Sequence, residues 1–198
     1  MSLPFSQSCE NNKDPILGVL KDCFADEARV LEIAGGTGQH AVYFAQNMPG
    51  LMWQSSDLAT NVESLNLRID LADLPNLPSA LPLDVMQEQW PIETTDNVFS
   101  ANSLHIMSEQ AVVAFFAHLE TLISLNGRLC IYGPFKYQGN FTSESNAKFD
   151  LWLKQRDPLS GIRDFEFVNS LAEKAGLALI EDHAMPANNQ LLSWRKVR

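Results

Sequence analysis

The stretch "VLEIAGGTGQH", Val30 to His40, constrains this chain more than any other. An apolar run short enough for a strand meets Gly35, Gly36 and Gly38, and then Ala41, Phe44, Ala45 and Met48 recur at helical spacing. A strand, a tight glycine turn and a helix make the cradle in which a nucleotide-like cofactor lies at the edge of a parallel sheet.

The rest of the chain repeats that alternation. "ARVLEIA", "LMWQSSD", "SALPLDV", "NVFSANSL" and "RLCIYG" read as strands separated by helical stretches. That pattern predicts an α/β fold with a mostly parallel sheet and helices on both faces. Asp14 before Pro15 predicts a helix over 15–24. Thr60-Asn61-Val62-Glu63 has the form of a capping box and opens a helix toward Leu74. Ser108 can cap a helix whose inner face is Val112, Phe116, Leu119 and Ile123, and Asp164 one that ends at Gly176, with Phe165, Val168, Leu171 and Ala175 inward. The tail, "LALIEDHAMPANNQLLSWRKV", is two strand-like runs joined by "MPANN" with no helix between them. It predicts an antiparallel hairpin that completes a sheet of seven strands.

Residues 134–163 break the rhythm. "GPFKYQGNFTS" is rich in turn formers, and a helix over 143–155 follows, with Phe149, Trp152 and Leu153 as its apolar face. The segment reads as a helical insertion, a lid, within a single domain of residues 1–198.

A formal net charge of −10 argues against a nucleic-acid partner, because phosphate neutralisation needs clustered Lys and Arg and only the short "WRKVR" tail supplies any. Cys9, Cys23 and Cys130 show neither C-x-x-C spacing nor an even count, so they read as thiols of a reducing compartment, with no metal site. "MSLPFSQSCENNK" lacks the form of a signal peptide and no apolar run is long enough for a bilayer; a cytoplasmic protein with a small-molecule partner is expected. Oligomeric state is left open.

Two cofactors fit the turn. "GTGQHA" satisfies the dinucleotide pattern, with Asp57 nineteen positions after Gly38 as a ribose acid, which keeps a nicotinamide-dependent oxidoreductase open. Glu32 argues otherwise, since a carboxylate ahead of the turn gains nothing from a pyrophosphate but suits a cationic sulfonium cofactor with an ammonium group. Acids also end the second and third strands. Asp57, with Leu58 beside it, can accept ribose hydroxyls; Asp84 can accept an adenine amino hydrogen, with the Val85 backbone adjacent. The set expected to hold a sulfonium cofactor with an adenosyl group is Glu32, Ala34, Gly35, Gly36, Gly38, Asp57, Leu58, Asp84, Val85 and Asn102. Asn12 and Lys13 can reach its carboxylate if the N-terminal segment closes over the same edge. The methyl group of Ala34 costs something only where the backbone needs positive φ, and with three glycines following, the cradle is expected to work.

Catalytic candidates follow strands four and five. Asn102 and His105 leave strand four beside the mouth of the cradle, and His105 either accepts a substrate proton, hydrogen-bonds the substrate or ties down its loop. Tyr132 and Lys136 have Y-x-x-x-K spacing, but Gly133-Pro134 between them rules out one helix face. They are read as holders of a polar or anionic substrate group. Asn188 and Asn189 are turn residues on the rim, Arg163 and Asp164 an ion pair plus cap, His40 a packing residue, and His118 and His183 surface residues.

"EIAGGTG" resembles the E/D-x-G-x-G-x-G signature of class I S-adenosylmethionine-dependent methyltransferases, with Ala34 at the first glycine. An antiparallel seventh strand also separates that class from dinucleotide folds. "SCENNKDPIL", "GTGQHAVYFA", "WQSSD", "ANSLHI", "YGPFKYQGNFTSESNAKFD", "RDP", "GIRD" and "MPANN" together resemble one small methyltransferase-like family catalogued as a domain of unknown function, over about Ser8 to Lys196. Ser55 departs from it where the family tends to have proline. The resemblance implies a Rossmann-like class I methyltransferase fold and S-adenosylmethionine binding, hence methyl transfer. It supplies no acceptor, and the 134–163 lid is what predicts a small molecule or small peptide rather than a polymer. The alternative is a non-catalytic adenosyl-binding module that acts through a protein partner.

Overall fold

The computed structural model describes residues 3–198; the first two residues of the "MSLPFSQSCENNK" stretch lie outside it. In chain order the elements begin α1 (Gln7–Cys23), β1 (Arg29–Ile33), α2 (Gln39–Asn47), β2 (Met52–Asp57), α3 (Ala59–Ala72), β3 (Leu81–Pro82) and β4 (Thr95–Ala101). They continue with α4 (Glu109–Leu122), β5 (Ile123–Gly133), β6 (Phe135–Tyr137), β7 (Asn140–Phe141), α5 (Glu144–Arg156), β8 (Arg163–Asp164), α6 (Phe165–Lys174), β9 (Leu177–Met185) and β10 (Asn189–Lys196).

Seven strands form one sheet in the order β3-β2-β1-β4-β5-β10-β9. The first five are mutually parallel, and β10 alone runs against both neighbours. The expected hairpin is present; Asn188 takes positive φ in its turn as the reading of "MPANN" expects, but Ala187 shares that role and Asn189 is extended, opening β10. Strand alternation divides the core. Val30 packs with Phe44, Trp53, Phe99 and Leu20 on the α1–α3 side, while Leu31 and Ile33 pack with Phe115, Phe116, Val168 and Trp194 on the α4–α6 side.

Several boundaries differ from expectation. Helix α1 starts eight residues early, at Gln7, with Ser6 accepting from the Cys9 N–H at 3.3 Å, and Pro15 sits inside it. The helix bears the proline because its first turns are tied to α2: Gln39 accepts from the Ser6 N–H at 2.6 Å and donates to Glu10 at 2.6 Å. The Thr60 capping box does not form; Asp57 Oδ1 instead takes the Leu58 N–H and the Asn61 amide, each at 2.7 Å. Ser108 caps α4 as expected, accepting from the Ala111 N–H at 3.1 Å, and Ser143, read as a helical residue, instead caps α5, accepting from the Asn146 N–H at 3.1 Å.

Within 134–163, β6 pairs with β7 and β8 in a separate three-stranded sheet, made of strands too short to leave a period in the sequence. Leu153 is buried, but Trp152 turns outward and is 46% exposed, with the Arg156 guanidinium 4.6 Å from its ring centre. Arg163 and Asp164 do not pair with each other. Arg163 is buried and donates to the carbonyls of Leu104 (3.2 Å), Leu159 (2.8 Å) and Met107, fastening the loop after β4. Asp164 instead meets Lys136 at 3.0 Å and the Gly139 N–H at 2.9 Å. Among the described residues no helix is long and apolar enough to cross a membrane.

Candidate functional site

The carboxyl ends of the parallel strands are where a sheet of this kind offers room for a ligand. A cavity of about 430 Å³ opens there, within the range of cofactor sites. Its walls come from the first turn (Ala34, Gly36), the end of β2 (Asp57, Leu58), the segment just after β3 (Asp84, Val85) and the start of the loop after β4 (Asn102). The two strand-tip acids thus face one hollow.

Asp57 also builds the cradle. Its Oδ2 accepts the Gly36 N–H at 2.7 Å, so the acid fixes the turn it was expected to serve alongside. A Cβ on Gly36 would meet nothing nearer than the Ala34 carbonyl oxygen at 4.0 Å, so the bare Cα leaves space that belongs to the cavity. Gly35 has the opposite constraint. A Cβ there would lie 2.2 Å from Ser55 Oγ and 3.3 Å from Glu32 Oε2, which glycine alone permits. Gly38 is the N-cap residue of α2. Ala34 adopts φ +61°, the condition under which its methyl group carries a cost.

Glu32 stands apart from the cavity. Being two residues from Val30, it points to the α1–α3 side, away from Ile33 and Ala34. There it is 2% exposed and accepts from Ser55 Oγ at 2.7 Å and Trp53 Nε1 at 3.1 Å. Burial lifts its pKa to about 7, with the nearby Asp57 charge adding to the rise against those two hydrogen bonds. Gly35, Gly38 and Lys13 are likewise outside the lining. Lys13 pairs with Glu10 and lies 4.9 Å from the Tyr43 ring centre.

A second cavity of about 390 Å³ adjoins the first, and Asn102 belongs to both walls. Helix α1 supplies one side through Asn11 and Asn12, so the N-terminal segment does close over this edge. Asn12 reaches the second cavity rather than the first, and its Oδ1 accepts from His40 Nε2 at 2.7 Å. His40 stays neutral, burial pushing its pKa down to about 4. Tyr132 also lines this cavity. Burial raises its pKa, against the Asn12 and Asn189 amides at its hydroxyl.

Tyr132 and Lys136 are not brought together. Lys136 lines a separate cavity of about 590 Å³, between α4 and the residues around 158–164. Its cations are matched by acids: Lys136 to Asp164, Lys154 to Asp150 at 2.6 Å, and Arg163 to Glu109 at 3.6 Å. His105 lines none of the three. It is 5% exposed, edge-on to Phe149 with centroids 5.3 Å apart, and burial with the Arg163 charge lowers its pKa to about 4. Sequence reasoning missed Asn11, Asn146 and Phe149 in the second cavity. Only the fold of α1 and α5 over the sheet edge reveals them.

The sheet order, the single reversed strand and the cavity at the strand tips define a class I S-adenosylmethionine methyltransferase-like fold. The chain belongs to the family described as "Protein of unknown function (DUF938)", whose model matches residues 3–196. Its fold is similar to that of an O-methyltransferase family protein from Burkholderia thailandensis (TM-score 0.81, 20% identity, covering 93% of this chain and 56% of that one). An O-methyltransferase family 2 protein from Planctomyces limnophilus, in complex with apigenin, gives TM-score 0.82 at 17% identity over 96% of this chain and 58% of that one. A methyltransferase of calicheamicin biosynthesis in SAH-bound form gives 0.71 at 18% identity over 92% and 53%. This chain spans little more than half the length of each.

Proposed function

We propose that the protein binds S-adenosylmethionine in the cavity at the strand tips and transfers its methyl group to a small-molecule acceptor held in the adjoining cavity. The observation that carries this reading is the convergence of Asp57, Asp84 and the open Cα of Gly36 on one hollow of suitable size. Asp57 and Asp84 would hold the ribose and adenine, with Leu58 and Val85 against the adenosyl group. The bound cofactor supplies an electrophilic methyl carbon on a sulfonium. This chain's own residues then have to align and enclose the acceptor.

An enzyme is favoured over a binding module because Asn102 joins the two cavities, leaving room for an acceptor beside the cofactor. Residues 134–163 would act as the lid, since Ser145, Asn146 and Phe149 roof the second cavity. The SAH-bound and O-methyltransferase neighbours support the cofactor assignment by analogy of fold. Calorimetry with S-adenosylmethionine, S-adenosylhomocysteine and the nicotinamide dinucleotides tests it. Binding of the adenosyl compounds is expected; binding of a dinucleotide alone overturns it.

A further inference from the structure

The cavity beyond Asn102 is walled by amides and hydroxyls. Asn11, Asn12, Asn102, Asn146 and Asn189 contribute, with Ser8, Tyr132 and Ser145, and none of the lining side chains is an acid, a lysine, an arginine or a histidine. Its apolar part is Phe149, aided by prolines and Ala187.

Three of these polar groups are left with unused hydrogen-bonding capacity. Asn146 is 6% exposed and spends both amide hydrogens on Thr142 Oγ1 and the Asn188 carbonyl, each at 2.9 Å, while its Oδ1 receives no donor among the described residues. The Tyr132 hydroxyl oxygen accepts from Asn189 Nδ2 at 3.0 Å, with the Asn12 amide also against it. Its own hydrogen has no acceptor among the described residues. The half-buried Asn102 side chain has no partner among the described residues either, on a backbone held at φ +57°. Left without a protein partner, each of these groups can bond a ligand that enters the cavity, and strained backbone gathers at functional sites. A free acceptor, a free donor and an amide that offers both converge on one space.

We propose that this cavity takes an uncharged planar molecule carrying both a hydrogen-bond donor and an acceptor, of the carboxamide or lactam kind, as the acceptor of the methyl group. The S–CH3 bond breaks with its electron pair staying on sulfur as S-adenosylhomocysteine, a C–O bond forms at the amide oxygen, and the amide N–H proton is released to water. The assignment of an acceptor role rests on the reading above; the chemistry of the ligand rests on the cavity itself. An ionic ligand would lose its hydration to neutral dipoles without gaining a counter-charge. A carboxamide recovers its lost water bonds from Asn146 Oδ1, Asn102 and the Tyr132 hydroxyl, and Phe149 offers its ring to a flat partner.

Titrating the isotope-labelled full chain with benzamide, benzoate and benzamidinium tests this. The three probes share a ring and differ in charge. Benzamide is expected to shift the resonances of Asn146 and Phe149 and to bind about tenfold more tightly than either ion. Asn102→Gly, whose backbone angle glycine adopts freely, should weaken benzamide about fivefold without lowering the unfolding midpoint. Equal or tighter binding of an ion, benzamide shifts confined elsewhere, or no benzamide binding overturns the proposal, as does an undiminished affinity in Asn102→Gly. S-adenosylhomocysteine is titrated separately. If it fails to bind while benzamide maps to Asn146, the methyltransferase reading falls and the ligand class stands. Its binding without selective benzamide binding overturns the ligand class alone.

Discussion

Ser55 Oγ donates to Glu32 Oε2 at 2.7 Å inside the α1–α3 face, directly beneath the bare Cα of Gly35. The buried carboxyl is therefore part of the floor on which the glycine turn rests. Its folded pKa of about 7 lies above the ordinary 4.5, so the folded state holds a proton that the unfolded chain has released. Stability from this group is complete below pH 4.5 and is lost as pH rises toward 7. Glu32→Gln keeps a neutral acceptor for Ser55 and Trp53 without the titration. Between pH 5 and 7 the variant should gain about 2 kcal/mol relative to the parent, read from urea denaturation at each pH. Parallel pH curves would show Glu32 ionised throughout.

Ala34 sits at φ +61°, where an L side chain is strained by roughly 1–2 kcal/mol. Ala34→Gly relieves that strain but loosens the unfolded chain, so the expected net gain is about 0.5–1 kcal/mol. A higher denaturation midpoint at unchanged slope would show it. The cradle tolerates alanine, with a measurable cost.

Asp57 holds three N–H donors, from Gly36, Leu58 and Asn61. Asp57→Asn sets an amide hydrogen against the Gly36 N–H. A stability loss of about 1–3 kcal/mol is expected. If the cavity is an adenosyl site, S-adenosylhomocysteine affinity should also fall about tenfold or more, because the turn and the ribose contact fail together. Calorimetry on protein first shown to be folded separates the two effects; full affinity in a folded variant removes Asp57 from the site.

Much of this architecture was legible before any coordinates. The strand-turn-helix at Val30, the acids that close β2 and β3, and the helix-free tail each left a local pattern, and the structure places them in one sheet with one reversed strand. The failures have a common origin in tertiary direction. Alternation put Val30 and Glu32 on one face and Leu31 and Ile33 on the other, but nothing local said which face the cavity would adjoin. Helix α1 begins at Gln7 because Gln39, 29 to 33 residues away, engages Glu10 and Ser6. Lys136 and Tyr132 diverge because β6 leaves the main sheet to pair with β8.

Lys196, in the short basic run "WRKVR" near the end of β10, is 4% exposed. Its ammonium donates to the carbonyls of Glu120, near the end of α4, and Ala175, just after α6, each at 2.6 Å. A cation there satisfies orphan carbonyls and complements both helix dipoles. Lys196→Met preserves the stem and removes the charge, so a loss of about 2 kcal/mol is expected, measured by urea denaturation. A change under about 0.5 kcal/mol would mean that water replaces the ammonium.

His105 sits in the loop after β4, and its ring meets Phe149 rather than lining either cavity of the proposed site. Its folded pKa of about 4 lies below the ordinary 6.5, so its contribution is present above pH 6.5 and is lost as pH falls toward 4. His40 behaves in the same way from inside the α1–α3 face, which makes a single-site comparison necessary. His105→Leu removes one proton-binding site from the unfolded state. Between pH 7 and 5 the variant should lose about 2 kcal/mol less stability than the parent. Its affinity for S-adenosylhomocysteine should stay within about twofold, because a side chain outside the lining contributes no contact. A large loss of affinity in a stably folded His105→Leu would place the imidazole at the cofactor and make it a participant in the chemistry instead of a strut beneath α5.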